Sequence, residues 1–189
     1  SRAPGTLPPI QVYFSPKGGC TEAVVQELDA AKTSVLVQAY SFTSTSIAKA
    51  LVEAHKRGVN VAVILDKSQE TEKYSEADFL VDMGIPTKID AEHAIAHNKV
   101  MVIDGSTVIT GSFNFTKAAE EHNAENMLVI RSPELAEQYT TNWNAHAAHS
   151  EPYSGREEGY SERHRAETET PARTLGRYVA SRNSEVFHR

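Results

Sequence analysis

Cysteine is almost absent: Cys20 stands alone in a chain of 189 residues. One thiol cannot build a disulfide framework or a multi-cysteine zinc site, and Cys20 reads as an inert thiol at a helix start. Long apolar runs are missing too. None approaches the ~20 residues that cross a bilayer, so no membrane span is expected. Nor is any Lys/Arg-rich amphipathic stretch bearing Trp or Phe evident, and the single tryptophan, Trp143, falls in a polar segment, so no stable membrane association is expected. Positive charge is not in excess. A net charge of −6 argues against a surface that coats nucleic acid broadly, while leaving room for a small basic cleft. His93 and His97 have an i,i+4 spacing, but Ala94 occupies the place where H-E-x-x-H needs glutamate. With no third ligand evident, no metal site and no cofactor are expected. "SPKGGC" lacks the spacing of a phosphate-binding P-loop and reads as a turn into a helix that could line a cleft. His122, His146 and His149 read as surface residues, and no internal repeat is visible.

What is present suits one soluble domain with a proper core: 40% of residues are hydrophobic. "IQVYF" is a strand candidate and "TEAVVQELDAAK" has helical spacing, with Thr21 placed to cap it. "SVLVQAYSF" and "VNVAVILD" are apolar enough to be strands covered on both faces. "TSIAKALVEAHKRG" and "KYSEADFLVDMG" are helices that end at Gly58 and Gly84. "AENMLVI" is a further strand and "PELAEQYTTNWNAHAA" a further helix. This alternation predicts an α/β fold: a mixed, largely parallel β-sheet flanked by helices. The predicted organisation is a flexible Pro/Gly-rich lead over 1–9, a folded domain over 10–149, and a polar tail over 150–189. That tail holds seven acidic residues, seven arginines and few aliphatics, too little apolar surface to fold by itself.

The chemistry concentrates in "HNKVMVIDGSTVITGSFNFT", residues 97–116. Asp104-Gly105 is a turn dipeptide between two strand-like runs, a strong hairpin signal. A Gly105-Ser106 loop would pair Asp104 with Thr107, Lys99 with Ser112 and His97 with Asn114. Strand alternation would then gather these four polar groups at the end away from the turn, with Asp104 on the other face in a structural or orienting role. An imidazole, an ammonium, a hydroxyl and an amide together suit a phosphate. Lys99 would supply charge, Ser112 and Asn114 donors, and His97 a nucleophile or proton carrier. No carboxylate pair lies beside them in the sequence to hold Mg²⁺.

His97-Asn98-Lys99, four residues, Asp104, six residues, Gly111-Ser112 and then Asn114 match the H-x-K-x4-D-x6-G-S-x-N signature of the phospholipase D superfamily. The wider context ("FSPKGG", "VQAYSFTS", "AHKRGV", "ILDKS", "NFTKAAEEHNAEN") resembles the superfamily's small bacterial endonucleases over roughly residues 10 to 149. The resemblance implies a phospholipase D-like fold with one motif per chain. It implies that His97 forms a phosphohistidine, that Lys99 and Asn114 clamp the phosphate, and that Tyr40 to Thr43 line the site. It also matches Glu125, in "HNAEN", to the family's acidic residue that orients an imidazole. A second imidazole must protonate the leaving group. Because the chain holds one H-x-K, this implies a homodimer in which two His97 side chains meet across a two-fold axis.

The resulting expectation is a metal-independent endonuclease for DNA, and for RNA as well, with little sequence preference. By resemblance it would be periplasmic or secreted, with the export signal not in this chain. The enzyme rival is a phospholipase D-type phospholipid hydrolase. The non-enzyme rival is a nucleic-acid-binding module with a silenced site.

Overall fold

The computed structural model describes residues 9–156, so the predicted lead before Pro9 and the tail beyond Arg156 lie outside the described residues. The order is β1 (Ile10–Ser15), α1 (Cys20–Ala30), β2 (Ser34–Ala39), α2 (Thr45–Lys56), β3 (Asn60–Asp66), α3 (Ala77–Asp82), β4 (Thr87–Asp90), β5 (Lys99–Ile103), β6 (Thr107–Gly111), α4 (Lys117–Glu121), β7 (Glu125–Arg131), α5 (Pro133–His149) and β8 (Glu151–Pro152). The strands form one sheet in the order β1-β7-β6-β5-β2-β3-β4-β8.

The α/β architecture is the expected one, but the sheet is not largely parallel. Only β2–β3 and β3–β4 pair in parallel. The pairs β1–β7, β2–β5, β4–β8, β5–β6 and β6–β7 are antiparallel. The reason lies in the connections. No helix separates β4, β5 and β6, so β5 and β6 pair as a hairpin, and β7 returns antiparallel beside β6 after the short helix α4.

Both faces of the central strands are covered, as their apolar runs require. Leu36, Val100, Val102 and Val108 pack against Ala136, Leu135 and Tyr139 of α5. The alternate residues Val35, Val37, Met101 and Ile109 are fully buried toward the other face, where α1 and α2 pack together. Trp143, in a helix read as polar, faces inward. It is buried, and its indole N–H donates to Val37 O at 2.9 Å.

The domain also runs past the predicted boundary at 149. Glu151 and Pro152 pair with β4. The Tyr153 hydroxyl and the Arg156 guanidinium both donate to Asp78, each at 2.7 Å. Backbone pairing and a paired carboxylate thus secure residues whose composition alone reads as tail.

One consequence of the topology positions the site. Because β5 runs antiparallel to both neighbours, its first residue, Lys99, lies beside the end of β2 at Ala39 and near the end of β6. β7 opens at Glu125, opposite Ser15 at the end of β1. One edge of the sheet therefore collects Tyr40, His97, Lys99, Ser112, Asn114 and Glu125.

Candidate active site

The hairpin forms, but one residue out of the predicted register. Ile103 pairs with Thr107 and Val100 with Thr110, so paired numbers sum to 210 and the loop is Asp104–Ser106. Asp104 and Gly105 both take left-handed backbone, at φ 53° and 59°. This conformation aims the Asp104 carboxylate at the turn before β2, where it accepts from the backbone N–H of Lys32, Thr33 and Ser34 and from the Thr33 hydroxyl, at 2.7–3.1 Å. Burial alone would raise its pKa; these donors outweigh burial and hold the carboxyl below its usual value.

Strict alternation in that register would place Ser112 on the face opposite Lys99. A bulge intervenes. Asn126 O accepts from both Ser112 N and Phe113 N, so two residues oppose one. Gly111 makes this possible: its φ is 149°, and a Cβ there would sit 2.3 Å from Asn126 O. The motif glycine is thus required for the close approach of β6 to β7.

At the open end, His97 is exposed and its ring lies 4.6 Å from that of Tyr40. The loop before it is pinned where Ala96 N donates to Asp66 at 2.6 Å. Lys99 is buried. Its ammonium donates to His97 O at 2.6 Å and stands 5.2 Å from the Tyr40 ring centroid, a cation–π arrangement. Burial pushes the Lys99 pKa down, and the Glu125 carboxylate partly restores it. Neither sheet position nor spacing revealed Tyr40's part; its signal was the strand-end motif "AYSF".

Glu125 accepts from the Ser112 hydroxyl at 2.5 Å and from Asn123 Nδ2 at 3.2 Å. It is not bonded to His97 of its own chain. Ser112 was expected to offer a donor to phosphate. Its one hydroxyl hydrogen is instead committed to Glu125, while its oxygen accepts from Asn126 N at 3.1 Å and Asn126 Nδ2 at 3.3 Å. Asn114 differs: its buried Oδ1 has no hydrogen-bond partner. Buried polar atoms are seldom left so, and the side chain is available to bind something further.

The remaining sequence candidates separate clearly. "SPKGGC" is not a free anion cradle, because Glu120 already accepts from Gly19 N at 3.0 Å and from Thr21 N at 2.7 Å. Thr21 does not cap α1; Gly19 holds the cap position in left-handed conformation. Cys20 is fully buried, and burial with the nearby Glu120 carboxylate pushes its thiol up to about 11, so it is inert at neutral pH. His122 is exposed, as expected. His146 and His149 are not free surface residues. With His93 they surround the buried Asp90 carboxylate, and Asp90 and these three histidines form a set with metal-ligand geometry. The signal was available as D-x2-H at 90–93 and H-x2-H at 146–149, two half-sites more than fifty residues apart.

An exposed histidine beside a buried ammonium, with an unsatisfied amide and a carboxylate at one sheet edge, is equipped to bind and attack a phosphoryl group. The matching family model agrees: residues 24–147 fit the one described as "Cardiolipin synthase, PLD-like domain". The chain therefore belongs to the phospholipase D-like family. It is 45% identical over 134 residues to a protein named Phospholipase D from Rickettsia typhi, covering 71% of this chain and 66% of that protein. Against Mitochondrial cardiolipin hydrolase of Danio rerio it is 33% identical over 113 residues, 59% of this chain and 50% of the relative. Among solved structures, Nuc from Salmonella typhimurium, a phospholipase D family member, superposes with a TM-score of 0.74 at 44% identity, covering 77% of this chain and 98% of Nuc. NucT from Helicobacter pylori shares the fold at a TM-score of 0.71 and 23% identity, covering 77% and 99%.

Proposed function

We propose that the chain is a metal-independent endonuclease. It would hydrolyse phosphodiester bonds of DNA, and of RNA, with little sequence specificity, through a phosphohistidine at a homodimer interface. The observation that carries this reading is the pairing of exposed His97 with buried Lys99 at one strand end. The cation is desolvated, so it stabilises charge on a phosphoryl group more strongly than a solvated lysine would. The likeness to Nuc, a phospholipase D family member, along almost all of that chain's length supports phosphodiester chemistry at this site.

In the proposed reaction, neutral His97 attacks phosphorus and the P–O bond to one ribose breaks. The departing alkoxide takes a proton from the imidazolium of the partner subunit's His97. That second imidazole, now neutral, removes a proton from water as its oxygen attacks phosphorus; the new P–O bond forms, the P–N bond breaks with its electron pair returning to His97, and both imidazoles are restored. Lys99 and the Asn114 amide hold the non-bridging oxygens. Glu125, anchored by Ser112 and Asn123, orients an imidazole across the two-fold axis.

An exposed apolar strip beside the site supports the dimer. Ile10, Val12 and Phe14 on edge strand β1 are 45%, 51% and 66% exposed, and Phe14 pairs with Asn126, which bonds to Ser112. Function in the periplasm or outside the cell belongs to the same proposal.

The names of the Rickettsia and Danio relatives favour a second reading, a phospholipid phosphodiesterase with the same histidine chemistry. One experiment separates them. Plasmid, single-stranded DNA, RNA and cardiolipin or phosphatidylcholine vesicles are each incubated with the full chain in excess chelator, beside His97→Asn. Cleavage of nucleic acid by the wild type alone is expected. Headgroup release from vesicles without nucleic-acid cleavage would move the assignment to the lipid reading. DNA retention with no turnover of any substrate would indicate a binding module.

A further inference from the structure

Away from His97, three imidazoles converge on one carboxylate oxygen. Asp90, at the end of β4, is completely buried. Its Oδ2 lies 2.8 Å from His146 Nδ1, 3.3 Å from His149 Nε2 and 4.0 Å from His93 Nε2. The three rings stand edge to face with centroids 5.1–5.3 Å apart. His146 and His149 are one turn apart in the last stretch of α5, whereas His93 belongs to the loop between β4 and β5.

Hydrogen bonding does not account for this arrangement. A carboxylate oxygen has two lone pairs, and His146 takes one of them at 2.8 Å. His149 Nε2 is buried and makes no hydrogen bond, although it is only 3.3 Å from the carboxylate. Three neutral rings would leave ring nitrogens aimed inward without partners, and three charged rings would repel across about 5 Å. A cation bound by the ring lone pairs and by Asp90 removes both problems.

We propose that Asp90, His93, His146 and His149 form a structural site for a divalent transition metal, zinc in particular. One donor atom from each lies within 4.8 Å of all the others. Tetrahedral zinc at roughly 2.0–2.1 Å from each ligand needs donors about 3.3 Å apart, so the rings close inward by roughly 1 Å or less. His3Asp is a donor set that suits zinc, and four protein ligands close the coordination sphere, as in sites that hold structure. Outer groups are in place: Glu92 N donates to Asp90 Oδ1 at 3.2 Å, and Glu92 Oε2 lies 3.7 Å from His149 Nδ1. The metal ties the C-terminal end of α5 to the loop that leads into His97, four residues beyond His93. It is separate from the phosphoryl chemistry, and its test does not depend on that chemistry.

The full chain, without a polyhistidine tag, is stripped with chelator and titrated with Zn²⁺ and with Co²⁺. Metal content and thermal midpoint are read for wild type, His93→Gln, His149→Gln and His97→Asn. One equivalent per chain is expected for wild type and His97→Asn, with a thermal midpoint that rises on zinc addition and intense tetrahedral bands from Co²⁺. His93 is 44% exposed, so His93→Gln folds without its metal. It is expected to bind at least roughly 100-fold more weakly, since even outer-sphere changes cost 10–100-fold. Wild type that retains no zinc and shows no shift in midpoint would overturn the proposal. So would wild-type affinity in both His93→Gln and His149→Gln, or an octahedral cobalt spectrum.

Discussion

The two ends of the β5–β6 hairpin are built on opposite terms. At the turn, Asp104 is saturated by backbone and hydroxyl donors from Lys32 to Ser34. At the open end, Lys99 is buried with a single carbonyl for its ammonium, and Asn114 Oδ1 has no partner at all. The saturated end holds the fold together. The open end keeps a desolvated ammonium and an amide with an unmet acceptor, which weakens a resting protein; the ammonium is the group preorganised for an anionic ligand. Both ends belong to one sequence signature, so motif membership does not tell a structural residue from a reactive one; the state of its hydrogen bonds does.

The sharpest way to break this contrast is at His97. His97→Asn should reduce turnover at least roughly 10⁴-fold while leaving the thermal midpoint within a degree or two, because the side chain is exposed and removing a nucleophile forfeits the covalent route. Steady-state cleavage and a melting curve read the two halves of that statement.

Lys99 comes next. Lys99→Met should cost roughly 10²–10³ in kcat, the scale of losing one preorganised electrostatic partner, with stability maintained or raised because a buried cation is gone. Its pKa is depressed, so the essential ammonium is lost as pH rises at a lower pH than an ordinary lysine requires. The alkaline limb of the wild-type rate profile should therefore fall below the usual lysine range near 10.4, and Lys99→Arg should push that limb upward.

Asn114→Ala should cost roughly 10² in kcat and little stability, since a polar atom with no partner is removed.

Asp104→Ala should show the inverse pattern: a loss of about 2 kcal/mol in stability, measured by urea unfolding, with kcat within a few-fold of wild type. Its folded-state pKa is lowered, so its contribution is complete above the unfolded value of about 3.9 and is lost as pH falls through the depressed value. The wild type should lose its advantage over Asp104→Ala as the solution is acidified below about pH 4.

The order of these effects also explains what was legible in the sequence. The hairpin, its polar end and the helices before β5 could be read because each rests on local spacing. The register slipped by one because two causes are non-local: Asp104 is drawn to a turn some seventy residues earlier, and the bulge at Gly111 depends on Asn126 in the next strand. Ser112 was read as a phosphate donor because its commitment to Glu125 crosses from β6 to β7. The sheet's antiparallel half was missed because helix and strand alternate up to β4 and the break, β4 to β6 with no helix between, comes late in the chain. The Asp90 cluster went unread because each short half-site is weak alone and the two meet only once α5 packs beside β4. The strand at Glu151–Pro152 carries no pattern of its own and exists because β4 offers an edge.

In the proposed reaction everything turns on a covalent bond between His97 and phosphorus. The most direct measurement is rapid quench of the enzyme with a short oligonucleotide, followed by mass spectrometry of peptides under alkaline conditions that preserve phosphoramidates. An acid-labile nucleotidyl adduct on His97 is expected, rising and decaying with turnover and absent from His97→Asn. Substrate cleavage without any adduct, and with His97→Asn still active, would contradict it.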